Sequence, residues 1–329
     1  MSAIAPTIQD FFTDHLFKEK NASPATTRAY RDAIKLYLAY AAAHTGTALS
    51  TLDFAQLNPA LLLGFLDHLE AERGNSVRTR NARLAAIHAL TSYAARRHPE
   101  HADDFARILA VTGKRATHTT ITYLTDPELT ALIDACDAGT RIGRRDRAMI
   151  HLAAQTGLRA AELLPLTPDD LHLGNGAHVC CRGKGRKTRA TPLTSESIEL
   201  LRSHLAEGKP AAHQPVFTNT KDRALTRDAF ALRLTLHAKA AAETCPSLRE
   251  KNITPHVLRH TAAMRLLHAG VDISVIALWL GHESLTTTAI YLKADLETKE
   301  KAIARTAPIG TPPGRYRPDD QLLAFLDNL

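Results

Sequence analysis

The sequence is short of the features that would mark a secreted or membrane-spanning protein. It has 4 cysteines in 329 residues: Cys136, the adjacent pair Cys180 and Cys181, and Cys245. They have neither the density nor the CxxC spacing of a disulfide framework, which fits a reducing compartment. No segment is long and apolar enough to span a bilayer, and the N-terminus (MSAIAPTIQDFFTDHLFKEK) lacks a basic start followed by an apolar run. The expectation is a cytoplasmic protein with no membrane partner. The stretch richest in reactive side chains, Pro255 to Tyr291, contains nothing like a nucleotide-binding loop.

With 44% hydrophobic and 23% charged residues, the chain is large enough for two ordinary domains. Lys and Arg number 41 against 34 Asp and Glu, a formal charge of +7 that favours a polyanionic partner. A merely basic surface is the plainer alternative.

The first part of the chain reads as a helical bundle. Ser23 and Pro24 open an amphipathic helix with Tyr30, Ile34, Tyr37 and Leu38 on one stripe. Pro59 opens a second through Leu62, Phe65, Leu66 and Leu69, Ser76 caps a third through Leu84, Ile87, Leu90 and Tyr93, and a shorter helix carries Phe105 and Leu109. The solvent faces are read as carrying Arg28, Arg31, Arg78, Arg80 and Arg83, candidates for phosphate contact or for simple solvation. A polar, basic, aperiodic segment follows as a linker, placed at 113–122.

Beyond it, Thr125 and Glu128 form a capping box around Pro127, starting a helix with Leu129, Leu132, Ile133 and Cys136 on one face. A buried helix then ends near Gly157, followed by a turn carrying Arg159 and a short helix holding Glu162. An Arg159–Glu162 ion pair is the bland reading there. HVCC and KTRATPL are β-prone runs joined through Arg182, Gly183, Lys184, Gly185 and Arg186, a hairpin with Lys184 at its tip. Helices follow from Thr194 to near Gly208 and from Thr226 through Phe230 and Leu234, with Val216 and Phe217 between them as an edge strand.

From Pro255, a helix places His256, Arg259 and His260 on one face. Asp272 caps the next, with Val275, Ile276, Leu278 and Leu280 assigned to the core and Gly281 as its stop, immediately before His282. Ser284 and Thr286 to Thr288 offer caps for a third short helix presenting Tyr291. A zinc site on His256 and His260 lacks the glutamate base of the metalloprotease motif, because Val257 stands in its place. A helix-turn-helix that reads DNA without cutting it stays open. A charged helix from Leu296 to Arg305 leads through PIGTPPGRYRPDD to an apolar tail, QLLAFLDNL.

TGLRAAE (Thr156–Glu162), RGKGRK (Arg182–Lys187), HVLRH (His256–His260), LGH (Leu280–His282) and Tyr291 occur in one order that resembles the tyrosine recombinases, the phage-integrase and Xer-like enzymes. The resemblance implies a mainly α fold with a small β-hairpin or sheet. An N-terminal SAM-like core-binding bundle (1–112) would precede a catalytic domain (123–307), with a linker and tail helix at 308–329. It implies a catalytic set of Arg159, Lys184, His256, Arg259 and His282 with Tyr291 as nucleophile, His256 assisting the phenolic proton, and Glu162 and His260 in support. Arg186 joins the arginines of the bundle as a DNA-contact candidate. The implied activity is site-specific cleavage and rejoining of duplex DNA through a 3′-phosphotyrosine, with no cofactor and no metal. The implied partners are inverted-repeat DNA arms, a homo-tetramer exchanging C-terminal helices, and accessory proteins. A relaxing enzyme like the type IB topoisomerases is the alternative within the same chemistry, and a non-cleaving DNA-binding protein the alternative outside it. Ala262 and Lys293 depart from the family pattern, where an aromatic and a histidine are common.

Overall fold

The computed structural model describes residues 4–115, 121–182, 188–282, 287–288 and 290–291. These are mainly helical with one small antiparallel sheet, and the chain divides into two compact units between Thr119 and Thr120. Lys184, Arg186, Ser284, Thr286, Lys293, the charged helix and the apolar tail lie outside the described residues.

In the first unit, α1 (Ile4–Asp10) runs into a π-helical segment, Phe11–Glu19, that the sequence pattern had not marked. Helix α2 (Pro24–Thr45) starts where expected, the Ser23 hydroxyl accepting from the Thr26 amide. Helices α3 (Pro59–Ala71), α4 (Val77–Ala95) and α5 (Ala102–Leu109) complete the bundle around Tyr37, Leu62, Phe65, Leu66, Leu84, Ile87 and Phe105. On α5 the inward residue beside Phe105 is Ile108, and Leu109 is exposed. Residues three and four positions on flank the direction of Phe105 on opposite sides, and the core lies on the side of Ile108.

One of the expected solvent-facing arginines is not on the surface. Arg80 is 4% exposed, with its Nε 3.4 Å from the Glu70 carboxylate and its Nη1 donating to Asn81 Oδ1. It stands four and seven residues before Leu84 and Ile87, so the helical period carries it to the core side. Arg83 is half-buried, and desolvation, helped by the charge of Arg73, lowers its pKa. Arg28 and Arg78 are exposed, as is Arg31, which pairs with the neighbouring Asp32 at 2.7 Å.

The second unit opens on α6 (Asp126–Asp134), where the capping box forms as expected: the Thr125 amide donates to Glu128 Oε2 at 2.8 Å. Next come α7 (Arg141–Thr156), the single-turn α8 (Ala160–Leu163), and a sheet of order β1 (Leu171–His172), β2 (His178–Arg182), β3 (Thr188–Pro192), antiparallel throughout. The hairpin of β2 and β3 matches the sequence reading, whereas β1 is an addition. Helices α9 (Ser195–Gly208), α10 (Arg227–Ala241), α11 (Pro255–His268) and α12 (Ile273–Leu280) follow.

Helix α9 ends at Gly208 as expected, and Lys209 takes the left-handed position after it with φ 42°. Two local readings need correction. Val216 and Phe217 form no named strand; they are buried, with the Val216 amide donating to the Leu166 carbonyl and its own carbonyl bonded to His204. On α12, Ile276 and Leu280 are buried as assigned, but Val275 is 46% and Leu278 77% exposed. The segment ISVIALWL is apolar apart from Ser274, so the pattern alone gives no inward face.

Candidate active site

The site forms where the ends of α7 and α12 meet the start of α8 and the middle of α11. Gly157 closes α7 in the left-handed region, φ 67°. A Cβ on it would lie 2.6 Å from Leu280 Cδ2 and 3.2 Å from Ala262 Cβ, so both the backbone conformation and the close approach require glycine. That turn delivers Arg159 to the N-cap of α8, its amide donating to Glu162 Oε2 at 2.8 Å and its Nη1 to Glu162 Oε1 at 2.9 Å.

The pair the sequence suggested is therefore present, with a further member. Arg189 on β3 donates through Nη1 and Nη2 to both oxygens of the same carboxylate, at 3.1 and 2.8 Å. Burial opposes the charged form of Glu162, but the bonds from Arg189 and Arg159 outweigh it and hold its pKa below the ordinary value. Sequence reasoning missed Arg189. It stands in the β-prone run KTRATPL, and nothing in the local pattern marks a partner 27 positions from Glu162.

Arg259 is 4% exposed. Its Nη1 donates to the Gly157 carbonyl and its Nη2 to the Leu280 carbonyl, both at 2.7 Å, which are the C-terminal ends of α7 and α12. The negative ends of two helix dipoles thus receive a buried cation. Desolvation, followed by repulsion from Arg159, still lowers its pKa to about 10. Two guanidiniums that raise one another's electrostatic cost mark a place suited to an anion.

Around them stand three histidines and the tyrosine. His282 follows Gly281, whose φ is 65° and whose absent Cβ leaves room for Arg189 Nη1. Its Nδ1 is 2.7 Å from Thr288 Oγ1, and desolvation followed by the charges of Arg259, Arg159 and Arg189 pushes its pKa down to about 4. His256 and His260 are also lowered, by desolvation first and nearby positive charge second. Tyr291 is 1% exposed, packed with Ala263, Met264, Leu267, Ile276 and Leu280. Its hydroxyl is 3.1 Å from His260 Nδ1, and its ring lies nearly parallel to that of His282, centroids 6.5 Å apart. Burial raises its pKa, an effect that Arg259 and Arg159 oppose.

The ring at the phenol in this structure is thus that of His260, whereas the sequence reading gave that place to His256. Tyr291 approaches α11 one turn beyond His256, whose side chain is exposed and whose ring is 6.5 Å from that of His260. Arg159, Arg259, His260, His282, Glu162 and Tyr291 form one neighbourhood, with His256 at its rim.

Residues 122–298 match the model of the phage integrase family, and residues 9–98 match its N-terminal SAM-like domain. The chain belongs to this family, the tyrosine recombinases. It is 44% identical to y4rC of Sinorhizobium fredii, a protein named as an integrase/recombinase, over 100% of this chain and 99% of that one. With tyrosine recombinase XerD of Pseudomonas putida it shares 30% identity over 88% of this chain and 94% of that one. Among solved structures, XerH site-specific recombinase bound to palindromic difH substrate, a post-cleavage complex, superposes with a TM-score of 0.67 at 26% identity, covering 87% of this chain and 81% of that one. The Tn1549 transposon integrase shares the fold, with a TM-score of 0.69 at 17% identity over 92% and 99% of the two chains.

Proposed function

We propose that this recombinase cuts and reseals duplex DNA at a specific site through a covalent 3′-phosphotyrosine on Tyr291. The observation that carries the reading is the convergence of two guanidiniums, Arg259 and Arg159, on the neighbourhood of the tyrosine hydroxyl, whose ionised form both favour. The Tyr291 oxygen attacks phosphorus, a new P–O bond forms, and the bond to the 5′ oxygen breaks. Arg159 and Arg259 donate to the non-bridging oxygens, where charge develops. Neutral His260, its proton on Nε2, accepts the phenolic proton at Nδ1, and His256 stands one turn away to relay it. His282, its Nδ1 engaged by Thr288, presents Nε2–H as a further donor. Lys184 protonates the leaving 5′ oxygen, and the reverse sequence reseals the strand without ATP.

In the state described, the phenol is enclosed, so attack requires the Tyr291 segment to move when the phosphodiester arrives. The partner is a duplex with inverted-repeat arms, bound by a homo-tetramer in which the tail at 321–329 passes between subunits. Accessory proteins are further partners. XerH, at 26% identity bound to its difH substrate, supports the DNA assignment.

The test searches the DNA flanking the gene for paired inverted repeats and uses a nicked duplex that carries them. The wild-type chain should form a covalent adduct that resists denaturant, and Tyr291→Phe should form none while binding the same duplex. An undiminished adduct in Tyr291→Phe removes the nucleophile assignment.

A further inference from the structure

The register of the small sheet assembles a second group of reactive side chains. His172 on β1 is the register partner of His178 on β2, and their rings stack with centroids 4.4 Å apart. Cys180 is two residues further along β2, so the period of the strand puts it on the same face as His178. Val179 and Cys181 alternate to the buried face. The two imidazoles and the thiol bring their ligand atoms within 4.8 Å of one another, His172 exposed and the other two half-buried.

We propose that His172, His178 and Cys180 bind a thiophilic divalent cation, zinc by preference, as a three-ligand site with the remaining position open to solvent. A His₂Cys donor set matches the borderline softness of zinc and the ligand types zinc sites use. The orientation of His178 is already set: its Nδ1 lies 2.8 Å from the Gly176 carbonyl, which fixes the N–H there and leaves the Nε2 lone pair for a metal. Tetrahedral zinc places its nitrogen and sulfur ligands roughly 3.3–3.7 Å apart. The three donors therefore close by about an ångström, which side-chain rotation on two paired strands supplies. Binding displaces the thiol proton, so affinity rises with pH.

No motif announces this site, because His172 and Cys180 come together only through strand pairing. It lies on β2, the strand that leads toward Lys184, and a bound ion would fasten β1 to the base of that hairpin. The inference is independent of the cleavage chemistry.

The experiment uses the full chain, stripped with chelator, kept reduced with a phosphine and titrated with cobalt(II). The expected result is a near-ultraviolet thiolate-to-cobalt charge-transfer band that saturates at one equivalent. Cys180→Ser should abolish it, His172→Gln or His178→Gln should weaken binding roughly tenfold or more, and Cys245→Ser should leave it intact. Should a variant melt early without metal, wild-type protein decides alone: zinc should slow alkylation of Cys180 at least as measured against Cys245 in the same sample. A missing band at several equivalents, a band that survives Cys180→Ser, or alkylation of Cys180 indifferent to zinc overturns the site.

Discussion

Replacing Glu162 with glutamine changes almost no volume and removes one negative charge from between two guanidiniums. Its side chain is 5% exposed, that of Arg189 13% and that of Arg159 36%. The Arg159 contact is close to a surface pair, worth about 0–1 kcal/mol after screening. Arg189 dominates, because the substitution leaves a buried guanidinium facing an amide that brings its own donors. Breaking one partner of such a pair costs about 3–5 kcal/mol. Taking ~3 kcal/mol, and roughly 2–4 °C per kcal/mol for a unit of this size, the second unit should melt ~6–12 °C lower. Calorimetry or urea unfolding of the full chain reads this directly. The double variant Glu162→Leu/Arg189→Met should recover most of the loss, since apolar replacement of a whole buried pair is often neutral. A loss within ~1 kcal/mol for Glu162→Gln, or a double variant as costly as its two single variants added, would refute the reasoning.

Three further outcomes follow from the geometry. Gly157→Ala should cost about 2–4 kcal/mol, the left-handed backbone adding to the clash with Leu280, while Gly46→Ala, with a similar φ and open space around it, should cost only about 1; equal costs on urea unfolding would dismiss the packing argument. His204, His256, His260 and His282 all have lowered pKa values, so as pH falls the unfolded chain takes up protons before the folded one does. Stability of the second unit should therefore decline from about pH 6.5 toward pH 4, and a flat urea midpoint between pH 7 and 5 would contradict it. Arg80→Ala should lower the melting temperature of the first unit, whereas Arg78→Ala should leave it within about 0.5 kcal/mol; the reverse ranking would show that the burial of Arg80 carries no weight.

Much of the fold is legible because local chemistry sets it. Ser23 with Pro24, the Thr125–Glu128 box, and the left-handed glycines at 157 and 281 all end or begin helices where the pattern says. What was illegible depends on distant partners. Arg80 is a partial case: its spacing to Leu84 and Ile87 puts it on the core side, but its partner Glu70 comes from another helix. Likewise Leu278 and Leu280 are both leucine in a segment that is apolar apart from Ser274. Arg189 and β1 become visible only once strands pair, and the choice between His256 and His260 at the phenol turns on which turn of α11 Tyr291 approaches.

The two bonds from Arg259 to Gly157 and Leu280 bear on how this protein should be studied. The side chain proposed to offer charge to a phosphodiester also fastens two segments of the chain that are far apart in sequence. Its removal would confound loss of chemistry with loss of architecture, so an inactive yet intact reagent for trapping bound complexes is better made at Tyr291 than at Arg259.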